Sequence, residues 1–216
     1  MGKIKKEKQI PIDITGISVE SIPGDEDNIE LVGTHNAYSI SMYLYKDPDP
    51  TYFSRFIKSV ERVVRGNKDY EIYLDYLREE KNLNTCSIFH NIQAGDASIE
   101  LHHFPFTLYT LCSITASKLL KSNLKVSTFI VADEVIKLHF KEVVGLVPLT
   151  VTMHELAHLG KIVLLKKMIY GDYLKFFNAH IDYFTDKEKE FISTLEERKS
   201  LPFDSNLLLL LDHQGK

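Results

Sequence analysis

Gly145-Leu-Val-Pro-Leu-Thr-Val-Thr-Met-His154-Glu-Leu-Ala-His158-Leu-Gly160 reads as a short strand, a tight turn and a short helix. Two histidines stand four residues apart in it, so on a helix both imidazoles project from one face and can grip one metal ion. Thr152-Met-His-Glu155 fits a capping box, which starts the helix almost at His154, and Gly160 is a natural stop just beyond His158. Well upstream, Ile99-Glu-Leu-His102-His103-Phe-Pro105 is an extended segment that ends in adjacent histidines. Two places on the chain thus offer four imidazoles, and both fold and function turn on whether they meet.

Working outward, residues 87 to 103 read as a hairpin, with Ser87–Gln93 as one arm, Ala94-Gly-Asp96 as the turn and Ala97–His103 as the other arm. Helical periodicity follows over about Thr107–Lys121 and Thr128–Lys141, then a short strand over Val143–Leu149. Upstream, Phe53, Phe56, Ile57, Val60, Val63 and Val64 recur at helical spacing, Gly66-Asn67 stops that helix, and Tyr70–Lys81 makes another. Ile12–Tyr45 alternates like strands, with turns at Pro23-Gly24 and Gly33–Asn36. Ile162–Arg198 reads as helical with a break at Gly171-Asp172, and Ser200-Leu-Pro202 ends it. The expected class is α+β: a ββα core with helices inserted between its strands. The expected organisation is a β-rich N-terminal region over 1–50, a helical connector over 51–85, the core over 86–162 and a helical C-terminal region over 163–216.

The chain has 216 residues with 44% hydrophobic and 26% charged, ordinary for a soluble globular protein. The Lys-rich start shows no apolar stretch of the secretory kind, and position 6 is Lys where a myristoylation motif needs Ser or Thr. The longest apolar run, Leu207–Leu211, is too short to span a bilayer. A cytoplasmic protein without membrane contact is expected. Cys86 and Cys112 lie far apart in apolar surroundings and read as buried thiols. A net charge of −4 argues against a surface that wraps nucleic acid everywhere, but it leaves room for local basic faces such as Lys161, Lys166 and Lys167.

Glu-x-His-His-x-x-Pro upstream, followed by Val-Pro-Leu and His-Glu-Leu-x-His, resembles the HNH nucleases, whose core is the ββα-metal fold; the match covers roughly residues 98–162. The resemblance implies a metal-dependent endonuclease that hydrolyses phosphodiester bonds in DNA, of phage or mobile-element type. It implies His103 as the general base and His102, His154 and His158 as ligands of one divalent metal ion (Mg, Mn or Zn). The chemistry is coherent in its own right. In-line attack on a phosphodiester needs a cation to neutralise the departing oxygen. A neutral imidazole suits the proton transfer from water. Adjacent strand residues point to opposite faces, so His102 and His103 share a site only if the strand end twists.

The sequence also departs from the family pattern. The asparagine of its second strand falls here on Gly145, and 51 residues separate His103 from His154. His139, Asn123 and Asn91 are the residues open to orienting the base in that asparagine's place, and the sequence does not choose among them. A catalytically silent ββα-metal fold kept for binding nucleic acid or protein is the companion reading. His-Glu-x-x-His is also the zinc-peptidase signature, with Glu155 as base. Against it, Lys161 and Leu164 stand where the extended form needs Gly and His, and Asn178 stands where a downstream Glu ligand is expected, with His180 nearby. His35-Asn36 reads as a turn, His90 as a packing residue, Glu100 as sharing the face of His102, and Tyr170, Tyr173, Phe176 and Phe177 as core.

Overall fold

The computed structural model describes residues 31–34, 37–40, 42–46, 48–122 and 126–197; expectations for the N-terminal stretch before residue 31, for His35-Asn36, for Asn123 and for Ser200–Pro202 lie outside them. The fold is mixed α+β. In chain order come β1 (Leu31–Thr34), β2 (Ala37–Ile40), β3 (Tyr43–Leu44), α1 (Pro50–Arg65), α2 (Lys68–Glu79), β4 (Ile99–His103) and α3 (Leu108–Lys121). These are followed by β5 (Val126–Ser127), α4 (Thr128–Phe140), β6 (Leu146–Thr150), α5 (Val151–His158), α6 (Tyr173–Ala179) and α7 (Asp186–Glu197). Among the described residues, three two-stranded antiparallel sheets form: β1 with β2, β3 with β5, and β4 with β6.

The helices begin where local chemistry satisfies their free amides. Asp49 caps α1, Asn67 caps α2, Thr107 caps α3 and Ser127 caps α4, each through its side-chain oxygen. The main core lies among α1–α4: Phe56, Ile57, Val60 and Val64 of α1 meet Tyr73 and Leu77 of α2, Cys112 and Ala116 of α3, and Val131 and Val135 of α4. A second core is aromatic, with Phe106, Tyr173, Phe176, Phe177 and Phe184 packed together. The C-terminal helical region is thus broken into α6, α7 and two 3₁₀ turns at Lys166–Met168 and Ile181–Tyr183, with Asp172 capping α6 just after the break at Gly171. Both cysteines are buried free thiols.

The strand pairing corrects one expectation. Ser87–Gln93 is not the partner of β4; its segment closes on itself through Cys86 N to Ile92 O at 2.9 Å and hydrogen-bonds β6 through Ser87 N to Pro148 O at 2.8 Å. The partner of β4 is β6, with Ile99 opposite Thr150, His102 opposite Val147 and His103 opposite Leu146. The physical reason is burial: every residue of β6 is buried, so it outcompetes the half-exposed Ser87–Gln93 for the edge of β4.

This small sheet lies between two layers. Val147 and Leu149 pack with Met153 of α5 on one side, while Leu146 packs into the α1–α4 core on the other. The register therefore puts Glu100 and His102 toward α5, and His103 toward α4. Gly145, just before β6, is fixed by proximity. Its carbonyl accepts from Phe104 N at 3.0 Å, and a Cβ there would stand 2.0 Å from the Phe104 oxygen.

Candidate metal centre

Helix α5 starts earlier than the capping-box reading places it. Thr150, not Thr152, is the N-cap, and its Oγ1 accepts from Met153 N at 3.4 Å. The strand thus runs straight into the helix. The helix ends at His158. Lys161 N then bonds Leu156 O at 2.9 Å and Gly160 N bonds Ala157 O at 3.0 Å, with Gly160 at φ 64. This is the Schellman arrangement, and it keeps His158 in the last regular turn.

From this frame His154 and His158 project on one face, with ring centroids 4.5 Å apart and Nε2 atoms 2.9 Å apart. His102 comes to the same place from β4, its ring centroid 4.8 Å from each of theirs. One ligand nitrogen from each of the three lies within 4.8 Å of the other two. His102 is buried, His154 half-buried and His158 exposed, so the cluster opens to solvent on one side. Phe104 stacks at 6.4 Å from the His102 ring. Burial first, and then the neighbouring His154 and His158, push the His102 pKa down to about 4. It is a neutral lone-pair donor at neutral pH.

Two features fit these residues to a cation. Nδ1 of His102 is buried with no hydrogen-bond partner, which ordinarily costs about 1–3 kcal/mol. His154 Nδ1 bonds the Glu100 carboxylate, so its N–H points to Glu100 and its Nε2 lone pair points to the cluster. A carboxylate behind a ligating imidazole fixes its tautomer and raises its basicity. The sequence puts Glu100 on the face of His102 and leaves its role open. The signal that singles it out is its place two residues before His102, which puts it on the face that α5 covers.

His103 does not join this cluster. Its Nε2 lies 3.0 Å from Nε2 of His139 on α4. His139 is fully buried and its Nδ1 bonds the Val135 carbonyl at 2.7 Å. Burial first, then His139, hold His103 well below the ordinary imidazole range; burial brings His139 to about 4. Of the described residues open to orienting His103, His139 is in contact with it, and Asn91 is exposed on the Ser87–Gln93 loop.

The remaining candidates fall elsewhere. His90 is exposed on the same loop as Asn91. Glu155 is exposed on α5. His180 is buried in another part of the fold, with Nδ1 on Phe176 O at 2.8 Å and Nε2 at 3.2 Å from Lys118 Nζ. The third imidazole beside His154 and His158 therefore comes from upstream, on β4, and not from the downstream position a zinc peptidase uses. Tyr173, Phe176 and Phe177 are core.

A family model for bacteriophage G278-like virion proteins matches residues 1–210. The chain belongs to that family. Comparison with curated proteins and with solved structures finds no match. Among the described residues of this virion-family protein, no helix is long and apolar enough to cross a membrane.

Proposed function

We propose that this virion-family protein carries an HNH-like, divalent-metal-dependent site that hydrolyses phosphodiester bonds in DNA. The observation that supports it is the meeting of His102 with His154 and His158, from two segments that are distant in sequence, within 4.8 Å of one another. His102, His154 and His158 would hold the ion, and Glu100 would fix the tautomer of His154. When bound, a divalent cation neutralises charge on the departing oxygen and eases ionisation of water. A set of three imidazoles favours zinc over magnesium or manganese. His103 is the base in this reading, with its Nδ1 as the acceptor, since its Nε2 faces His139. The family's description supports a place in the phage particle.

Nicking of supercoiled plasmid, with zinc, manganese or magnesium added, tests this reading. Wild type is expected to nick with at least one metal, while His154→Ala and His102→Ala lose both metal binding and cutting. Absence of nicking by the wild type with every metal refutes it.

One observation favours a second reading. His103 is buried against His139, so the ββα unit would serve as a metal-held structural element of the particle without cutting. It is distinguished by a metal that raises the melting temperature of a wild type that does not nick.

A further inference from the structure

We propose that His139 is the positioning residue for His103: it holds the proton of His103 on Nε2 and so presents Nδ1 as a free lone pair. The inference rests on the phosphodiesterase reading above and supplies what Gly145 cannot. A side chain at position 145 has no room, because its Cβ would meet the Phe104 carbonyl at 2.0 Å. A group that orients His103 has to come from another element, and α4 delivers one.

Nδ1 of His139 lies 2.7 Å from the Val135 carbonyl, which can only accept, so Nδ1 carries the hydrogen. A neutral imidazole has one N–H, and Nε2 of His139 is then a lone pair. That lone pair faces Nε2 of His103 at 3.0 Å, and two lone pairs do not sit at that distance, so His103 donates from Nε2. The rings of Tyr70 and Tyr73 stand edge-on to His139 at 5.1 and 5.6 Å and keep it from turning over. Three of the four ring nitrogens in the pair are engaged, and the fourth, Nδ1 of His103, makes no hydrogen bond among the described residues. In the step this supports, an O–H bond of water breaks and its proton goes to Nδ1 of His103. The water oxygen bonds phosphorus, the bond from phosphorus to the leaving oxygen breaks, and solvent protonates that oxygen.

The test uses full-length protein labelled with nitrogen-15. Long-range proton–nitrogen spectra read which ring nitrogen of His103 carries hydrogen, with and without zinc. Wild type is expected to show Nε2–H. His139→Gln, which keeps an acceptor in reach, is expected to retain that tautomer and most of the nicking. His139→Leu is expected to mix the tautomers and slow nicking roughly 10- to 100-fold, with zinc affinity unchanged. A proton on Nδ1 of His103 in the wild type overturns the inference, and that spectrum decides even where His139→Leu does not fold. Undiminished nicking by a folded His139→Leu overturns the positioning role alone. A wild type that fails to nick with any of the metals overturns the phosphodiesterase reading and this role with it.

Discussion

Nδ1 of His154 is bonded to the carboxylate of Glu100, and this contact joins β4 to α5 across the face where His102 also points. It makes the tautomer of His154 a consequence of the strand register. Glu100→Ala is expected to lower zinc affinity roughly 10- to 100-fold while changing stability little, because the carboxylate is half exposed. Calorimetric titration with zinc reads the first, and a thermal melt of the metal-free protein reads the second. Unchanged affinity would show that Glu100 is an ordinary surface charge.

Gly145 is expected to tolerate no side chain. Gly145→Ala puts a methyl carbon 2.0 Å from the Phe104 carbonyl, so the ends of β4 and β6 must part. A loss of about 2–4 kcal/mol is expected from urea unfolding, with weaker metal binding as the strands shift. A variant as stable as wild type contradicts the close strand approach.

Acid is expected to destabilise the fold through its buried imidazoles. The His139 pKa is lowered to about 4, so between that value and the ordinary one the unfolded chain binds more protons than the folded chain. Stability is therefore fully present above about pH 6.5 and lost as pH falls toward 4, by about 1.4 kcal/mol per pH unit for this one group. His103 and His102, also lowered by burial, steepen the same slope. Urea midpoints measured between about pH 7 and pH 5 check this, and a flat profile speaks against a neutral buried pair.

Glu155 separates the nuclease reading from the peptidase one. It is exposed on α5, and the third imidazole of the cluster comes from β4. Glu155→Ala is expected to bind zinc and nick plasmid as wild type does. A loss of all activity with metal still bound points to a peptidase-like base.

The helices were the most legible part of the sequence. Phe56, Val60 and Val64 recur at a spacing that needs no tertiary information, and α1 buries those residues. The β4–β6 pairing was not legible in the same way. Ser87–Gln93 is nearer in sequence and followed by a turn, whereas β6 wins by burial on both faces, a property visible only once α4 and α5 are in place. The start of α5 was misread by two residues because Thr150 and Thr152 are both able to cap; the one that ends the buried strand does so. The histidines divide similarly. Helical spacing foretold that His154 and His158 share a face, and strand alternation foretold that His102 and His103 do not. Which partner each would find depended on α4, whose His139 carried no signal of its own beyond being one of three candidates.

The most direct test of the account is calorimetric titration of the metal-free full-length protein with zinc, repeated for His102→Ala and His158→Ala. The account predicts one ion bound per wild-type chain and at least a hundredfold weaker binding, about 2.7 kcal/mol, in each variant. Wild-type protein that takes up no ion, or variants that bind as tightly as wild type, would contradict it.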